Sequence, residues 1–290
     1  MSQIVSVGID GSRESLAAVN WAADEALLRG CPLLLLHVWR DGDAPAAHHT
    51  NTETGQRSAE VLLRRAAERV RLNHPRLQID TQQQPGDPVE ELLAAGERSA
   101  LMVLGSRGLG GLGGFIVGSV SLAVLARARC PLVLVRAESP DDLSTRSSAG
   151  DIVVGMDLPE AGQEVLGFAF ACAERYGSGL RIVHSWSLPP LFGPGTTDVV
   201  PALMEEVATG RREEMTRALA SWREKYPTVP VGSECLQGHP AQDLVEASRK
   251  ARLVVVGLRR RASRLGAHVG PVVHSVLHHT AAPVAVVPHG

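Results

Sequence analysis

Apolar positions along the chain form two kinds of segment, short continuous runs and longer stretches with helical spacing. A continuous run such as Leu33–Trp39 predicts a strand that is covered on both faces of a sheet. In Ser15–Leu28 the apolar residues recur every three or four positions, which predicts an amphipathic helix. In the first half of the chain the predicted strands are Ile4–Asp10, Leu33–Trp39, Leu77–Gln82, Leu101–Leu104 and Leu132–Val135. The predicted helices are Ser15–Leu28, Gln56–Leu72, Pro88–Arg98 and Ser119–Arg129.

Regular alternation of strands and helices is typical of an α/β domain with a parallel sheet and right-handed crossovers. The pair Asp87-Pro88 is a strong helix-start signal, because aspartate caps a helix and proline suits its first position. In parallel sheets, ligands bind beyond the carboxyl ends of the strands. Asp10, Val38 and Gly105 follow or end predicted strands, so we expect them to share one crevice.

The second half of the chain repeats the first. Equivalent motifs are Val7–Asp10 with Val154–Asp157, His37–Trp39 with His184–Trp186, and Cys130–Val135 with Ala282–Val287. The offset between the halves grows from 147 to 152 residues, which places five extra residues between Trp186 and Leu236. We expect this insertion in the proline- and glycine-rich stretch Leu188–Gly195, because loops tolerate added residues. The sequence thus predicts two domains, residues 1–137 and 151–290, joined by a polar linker over 138–150.

Composition narrows the class of protein. A length of 290 residues is sufficient for two domains. A net charge of -2 and an aromatic content of 3% argue against a nucleic-acid partner. The four cysteines form no CxxC pair, which favours reduced, mostly buried thiols in a cytoplasmic protein. The N-terminus does not resemble a signal peptide, and no apolar run approaches membrane-spanning length, so we expect no membrane association.

A glycine-rich segment between a strand and a helix is the clearest chemical signal. Its spacing is Gly105-x2-Gly108-x9-Gly118-Ser119. Such a loop lets the backbone approach a phosphate, and the helix start directs free N–H groups at it. The segment is not a Walker P-loop, because Lys225 and Lys250 are the only lysines and neither follows a glycine loop. Binding with slow or no phosphoryl transfer is therefore favoured.

This spacing, with the strand-end motif Gly8–Asp10 and the strand Cys130–Val135, resembles the universal stress protein family over nearly the whole chain. The resemblance implies an α/β fold of two tandem Rossmann-like domains, each a five-stranded parallel sheet with about four helices. In members that bind ATP it implies one nucleotide per domain, with Mg or Mn on the phosphates. It also implies that domains pair through their last strands, here Leu132–Val135 and Val284–Val287. We expect this pairing within the chain, and a homodimer of chains.

The resemblance assigns ATP contacts in the first domain by matching motif positions. It implies that Gly8 and Asp10 lie near the adenosine part, with Val38 at the adenine and Leu104 packed on the base. The residues implied at the phosphates are Gly105, Ser106, Arg107, Gly108, Gly118, Ser119, Val120 and Ser121. One alternative for Asp10 is a purely structural role as a turn or helix-cap aspartate. No metal site is expected beyond a nucleotide-bound cation.

The equivalent loop of the second domain is altered. There Arg260 replaces the second motif glycine and Pro271 replaces the motif serine. Because proline has no N–H, one phosphate donor is lost. A weak second ATP site would involve Gly155, Asp157, Gly257 and Gly270. The basic run Arg259–Arg264 either supplies compensating charge or binds another anion, or it is a solvated loop.

These observations favour an ATP-binding regulatory protein of the stress response, with the nucleotide held mainly in the first domain. Unknown protein partners are expected for such a role. Two alternatives remain open, an interaction scaffold that needs no nucleotide and a slow ATPase. Because no placed base or loop lysine is evident, the sequence gives the enzyme interpretation little support.

Overall fold

The computed structural model describes residues 4–39, 52–106, 117–137, 150–158, 162–187, 200–260 and 269–290. Strands occupy β1 Val5–Gly8, β2 Leu33–Trp39, β3 Ile79–Pro85, β4 Leu101–Gly105, β5 Leu132–Val135, β6 Ile152–Gly155, β7 Leu180–Trp186, β8 Val231–Gln237, β9 Leu253–Arg259 and β10 Val284–His289. Helices occupy α1 Arg13–Arg29, α2 Thr52–Asn73, α3 Pro88–Gly96, α4 Ser119–Arg127, α5 Gln163–Tyr176, α6 Val200–Lys225, α7 Pro240–Ala247 and α8 Pro271–His279.

All ten strands form one sheet in the order β3-β2-β1-β4-β5-β10-β9-β6-β7-β8. Within each half the pairing is parallel, as the alternating pattern predicts. The halves meet where β5 pairs antiparallel with β10, with Val133 opposite Ala285. The expected intrachain pairing of last strands is therefore confirmed.

Helices cover both faces of the sheet. Side chains from α1, α2, α5 and α6 pack with the strands in one apolar cluster. A second cluster on the opposite face includes residues of α3, α4, α7 and α8. Both faces of the central strands are buried, and this explains why strands such as Leu101–Gly105 are continuously apolar.

The five extra residues of the second half lie mostly in a helix. Helix α6 has 26 residues, whereas its counterpart α2 has 22. Four added residues correspond to about one helical turn, so they lengthen the helix and keep its buried face nearly in phase. The expected insertion site Leu188–Gly195 lies outside the described residues, but the helix bounds show that this loop cannot hold all five.

A buried carboxylate joins the two domains. Glu25 of α1 is 1% exposed and accepts hydrogen bonds from Arg29 at 2.5 Å and from Arg175 of α5 at 3.0 Å. The hydroxyl of Tyr176 also donates to Glu25. Burial and the adjacent Glu25 carboxylate raise the pKa of Tyr176 far above its usual range, so the phenol stays a neutral donor. The guanidinium of Arg252 lies over the Tyr176 ring, 4.2 Å from its centroid.

We expect Glu25→Ala to lower the free energy of unfolding by about 3 kcal/mol or more, because it leaves partly buried guanidinium groups without their carboxylate. Urea denaturation at pH 7 measures the change. Glu68→Ala is the matched control, since Glu68 is exposed on α2. Equal stability of the two variants would show that Glu25 does not hold the junction.

The cysteines are free, and Cys31, Cys130 and Cys172 are buried, as expected. Burial raises the pKa of Cys130 and of Cys172 to about 11. At pH 8 only about one in a thousand of each thiol is therefore ionised.

We expect iodoacetamide to leave Cys130 and Cys172 unmodified in the native protein at pH 8 and to alkylate them after unfolding in urea. Peptide mass spectrometry measures this, and rapid native alkylation of Cys172 would contradict the buried position.

Candidate functional site

In the first domain, the carboxyl ends of β2, β1 and β4 lie side by side, as the sequence predicts. His37 fixes two of these ends, because its Nδ1–H donates to the Ile9 carbonyl over 2.6 Å. His184 makes the same contact with the Met156 carbonyl at 2.9 Å in the second domain. The repeated histidine is therefore a feature of the shared fold.

The start of α4 lies at this edge. The Gly118 N–H donates to the Ser106 carbonyl over 2.8 Å, and this closes the base of the glycine-rich segment. Gly118 is the N-cap, and no side chain in the described part of the chain caps the helix. The N–H groups of Ser119, Val120 and Ser121 precede the first intrahelical donor, so they have no acceptor within the helix. The predicted residues Arg107 and Gly108 lie outside the described residues.

The Asp10 carboxylate organises the turn between β1 and α1. Its Oδ1 accepts from the Ser12 N–H at 2.9 Å and from the Ser12 hydroxyl at 2.6 Å. Ser12 in turn caps α1 by accepting from the Ser15 N–H. Gly11 has a φ of +86°, a left-handed conformation that favours glycine. The alternative interpretation of Asp10 as a turn aspartate therefore describes a real contact, and its predicted ligand role stays a prediction.

Two predicted site glycines have a packing role. A side chain on Gly105 would lie 2.8 Å from backbone atoms of Glu14 and Ser15, at the start of α1. On Gly8 it would meet Leu104 at 2.6 Å. The Ser121 hydroxyl also serves the fold, since it donates to the Gly105 carbonyl over 2.9 Å. These residues bring β1, β4, α1 and α4 close together at the predicted site.

In the second domain, a cavity of about 650 Å³ opens at the equivalent strand ends. Its wall contains all four residues that the sequence assigns to a second site: Gly155, Asp157, Gly257 and Gly270. The volume falls in the range of small-molecule sites. The helix bordering this cavity, α5, has 14 residues, three fewer than the 17 of α1, and no described side chain caps its start.

The altered positions line the same cavity. Arg260 and Pro271 both contribute to its wall. Pro271 is the first residue of α8, whose N-cap is Gly270. Nothing in the described part of the chain lies within 4 Å of a side chain built on Gly270, whereas one on Gly257 would meet His289 at 2.7 Å. Among the described residues Gly270 therefore has no close neighbour, whereas Gly257 is held by packing.

Sequence reasoning missed two parts of this wall. Ser185 lines the cavity, and its Oγ is buried without a hydrogen-bond partner in the described structure. Its equivalent, Val38, is a predicted site residue, so the repeat could have identified it. Residues 126–128 at the end of α4 also line the cavity, although they belong to the first domain. The sequence motif of one repeat cannot show that residues of the other domain line its site.

Among the described residues no group of three or more His, Cys, Asp or Glu side chains could hold a metal ion. The described helices include none that is long and apolar enough to span a membrane.

The family model "Universal stress protein family" matches residues 1–136 and again residues 149–288. A universal stress protein of Mycobacterium tuberculosis is 32% identical, over 97% of this chain and 96% of the relative. A universal stress protein of Mycolicibacterium smegmatis is also 32% identical, over 98% of this chain and 96% of the relative. The fold is similar to that of a universal stress protein crystal structure from Archaeoglobus fulgidus, with a TM-score of 0.70, 20% identity and 100% coverage of both chains.

We expect Gly105→Ala to destabilise the protein by about 2 kcal/mol, because the new methyl group would press on the backbone of α1. Gly270→Ala is the control, since its side chain would enter open space. Thermal unfolding without ligand measures both variants. If Gly270→Ala lowers the melting temperature as much as Gly105→Ala does, it is wrong that Gly105 is required for packing and that Gly270 is not.

Proposed function

Because the chain belongs to the universal stress protein family, we propose that it is a cytoplasmic stress-response regulatory protein that binds ATP. The nucleotide lies mainly in the first domain, with Mg²⁺ or Mn²⁺ on its phosphates, and turnover is slow or absent. The observation that carries this proposal is the start of α4, which lies beside the end of β4 and which no described side chain caps.

Phosphate binding at this helix start has a simple physical basis. The N–H groups of Ser119, Val120 and Ser121 and the positive end of the helix dipole favour an anion. Because Gly118 has no side chain, a phosphate can approach these groups closely. The other helices of the first domain with a described start differ, since Ser12 and Asp87 cap α1 and α3 with their own oxygen atoms.

The adenosine part has an apolar surface beside the phosphates. Leu104 is 4% exposed and packs next to Gly8, while Val38 is half-buried at the end of β2. Val38, Gly8 and Leu104 lie at or near the carboxyl ends of three adjacent strands, β2, β1 and β4. A flat base can pack on such a surface and use backbone groups at the strand ends for its hydrogen bonds.

The positions of the two lysines support slow turnover. Lys225 and Lys250 are the only lysines, and both belong to the second domain. Lys225 lies over the rings of Trp222 and Tyr226, at 5.3 and 5.4 Å, so it serves packing at the end of α6. Kinases and P-loop enzymes use a lysine at the phosphates for fast phosphoryl transfer, and the first domain contains no lysine.

We expect ATP with Mg²⁺ to raise the melting temperature of the protein, because a ligand that binds only the folded state stabilises it. Saturation at one hundred times Kd would stabilise by about 2.7 kcal/mol. Gly118→Arg should abolish the tight site, since its side chain would occupy the phosphate position. Gly118 has a φ of -63°, so the backbone accepts arginine there. Calorimetric titration measures affinity and stoichiometry.

Two controls separate binding from folding. Gly270→Arg is the matched change in the second domain and should leave the tight site intact. Asp10→Asn keeps the Oδ1 acceptor of the turn but removes the charge, so a loss of affinity without a change in unliganded stability would assign Asp10 to the ligand. If ATP leaves the melting temperature unchanged and no nucleotide is released on denaturing the purified protein, the scaffold hypothesis replaces this proposal.

A further inference from the structure

The wall of the second-domain cavity continues onto the first domain. Arg127, the last residue of α4, lines the cavity together with Arg259 and Arg260 of the second domain. The two parts of this wall are held together by the antiparallel pairing of β5 and β10. Arg136, which follows β5, strengthens the junction by donating to the Leu277 and His278 carbonyls of α8 at 2.6 and 2.7 Å.

The polar part of the wall favours an anion. Among the described residues it includes three arginines, Arg127, Arg259 and Arg260, and one acidic residue, Asp157. Pro271 removes one backbone donor from the start of α8, and arginine side chains can replace it, because a guanidinium binds phosphate through two parallel N–H groups. Arg259 and Arg260 line this wall and are both exposed, so both interpretations of the basic run, compensating charge and solvated loop, stay open.

A ligand contact from Arg127 would require its guanidinium to leave its present partner. Its guanidinium donates to both carboxylate oxygens of Glu90, at 2.6 and 2.9 Å. The two side chains are 49% and 59% exposed. Exposed ion pairs contribute little to stability, so a phosphate in the cavity can take over Arg127 at small cost.

We propose that Arg127 is a binding residue of the second-domain cavity, where it contacts a phosphate group of a nucleotide-sized organic phosphate. The organic part would lie on the apolar floor formed by Val183, Leu244 and Val256. This inference rests on the proposed function for its class of ligand. It extends that class to a second site, whose wall includes residues of both domains.

A shared helix links the two sites. The start of α4 is the phosphate position of the proposed first site, and its last residue is Arg127. The helix has nine residues, which corresponds to a length of about 13 Å. The proposed phosphate position of the first site and Arg127 therefore belong to one helix.

The test uses the full chain with Gly118→Arg, which blocks the first site, and titrates ATP by calorimetry. In this background we expect Arg127→Gln to weaken ATP binding about tenfold or more, as expected for loss of a charged hydrogen bond. Arg129→Gln is the matched control, because Arg129 is exposed two residues further on and does not line the cavity. Glu90→Gln should tighten binding, since it releases Arg127.

Four outcomes decide the matter, provided that the variants melt at the same temperature without ligand. Equal ATP affinity in Arg127→Gln and Arg129→Gln overturns the inference, and so does the absence of any ATP binding in the Gly118→Arg background. If Gly118→Arg binds ATP as the unmutated chain does while Arg127→Gln still weakens binding, the inference stands and the first-domain proposal fails. Tighter binding by Glu90→Gln supports the inference without removing any cavity residue.

Discussion

The antiparallel pairing of β5 with β10 is the interaction on which the rest of the molecule depends. Each half ends in a short, fully apolar strand whose outer edge has unpaired backbone groups, and such an edge in water invites aggregation. Pairing Leu132–Leu134 with Val284–Val286 satisfies both edges at once. It also brings α1 against α5 and the end of α4 to the second-domain cavity. Glu25 then fixes the junction with contacts from both domains.

The glycines of the nucleotide motif serve different purposes, although the sequence presents them as one pattern. Gly8 and Gly105 allow close packing, since a side chain there would meet other atoms at less than 3 Å. Gly118 and its equivalent Gly270 begin helices that no described side chain caps. Both kinds of glycine are retained in the second half, as Gly155, Gly257 and Gly270. The glycine that Arg260 replaces, Gly108, lies outside the described residues.

Hydrophobic patterning predicted the fold closely because most strands are buried on both faces. Leu33–Trp39 and Leu132–Val135 have the predicted bounds, and helix starts follow clear signals such as Asp87-Pro88. The added turn of α6 was missed because an insertion in phase with a helix leaves its periodicity unchanged. Arg127 and the Glu25 cluster were missed because contacts between domains depend on tertiary placement. The local sequence around each residue gives no sign of them. All the ATP contacts remain predictions, and two of their residues, Arg107 and Gly108, lie outside the described residues.

The covalent linkage of the halves has a consequence for how they associate. Only the residues from 136 to 151 separate the end of β5 from the start of β6. A connection of this length keeps the two pairing strands at an effective concentration in the millimolar range. The association of β5 with β10 is thus a unimolecular event whose equilibrium does not change with protein concentration. Dilution, which separates subunits held only by a strand pair, leaves the ten-stranded sheet and its shared cavity wall intact.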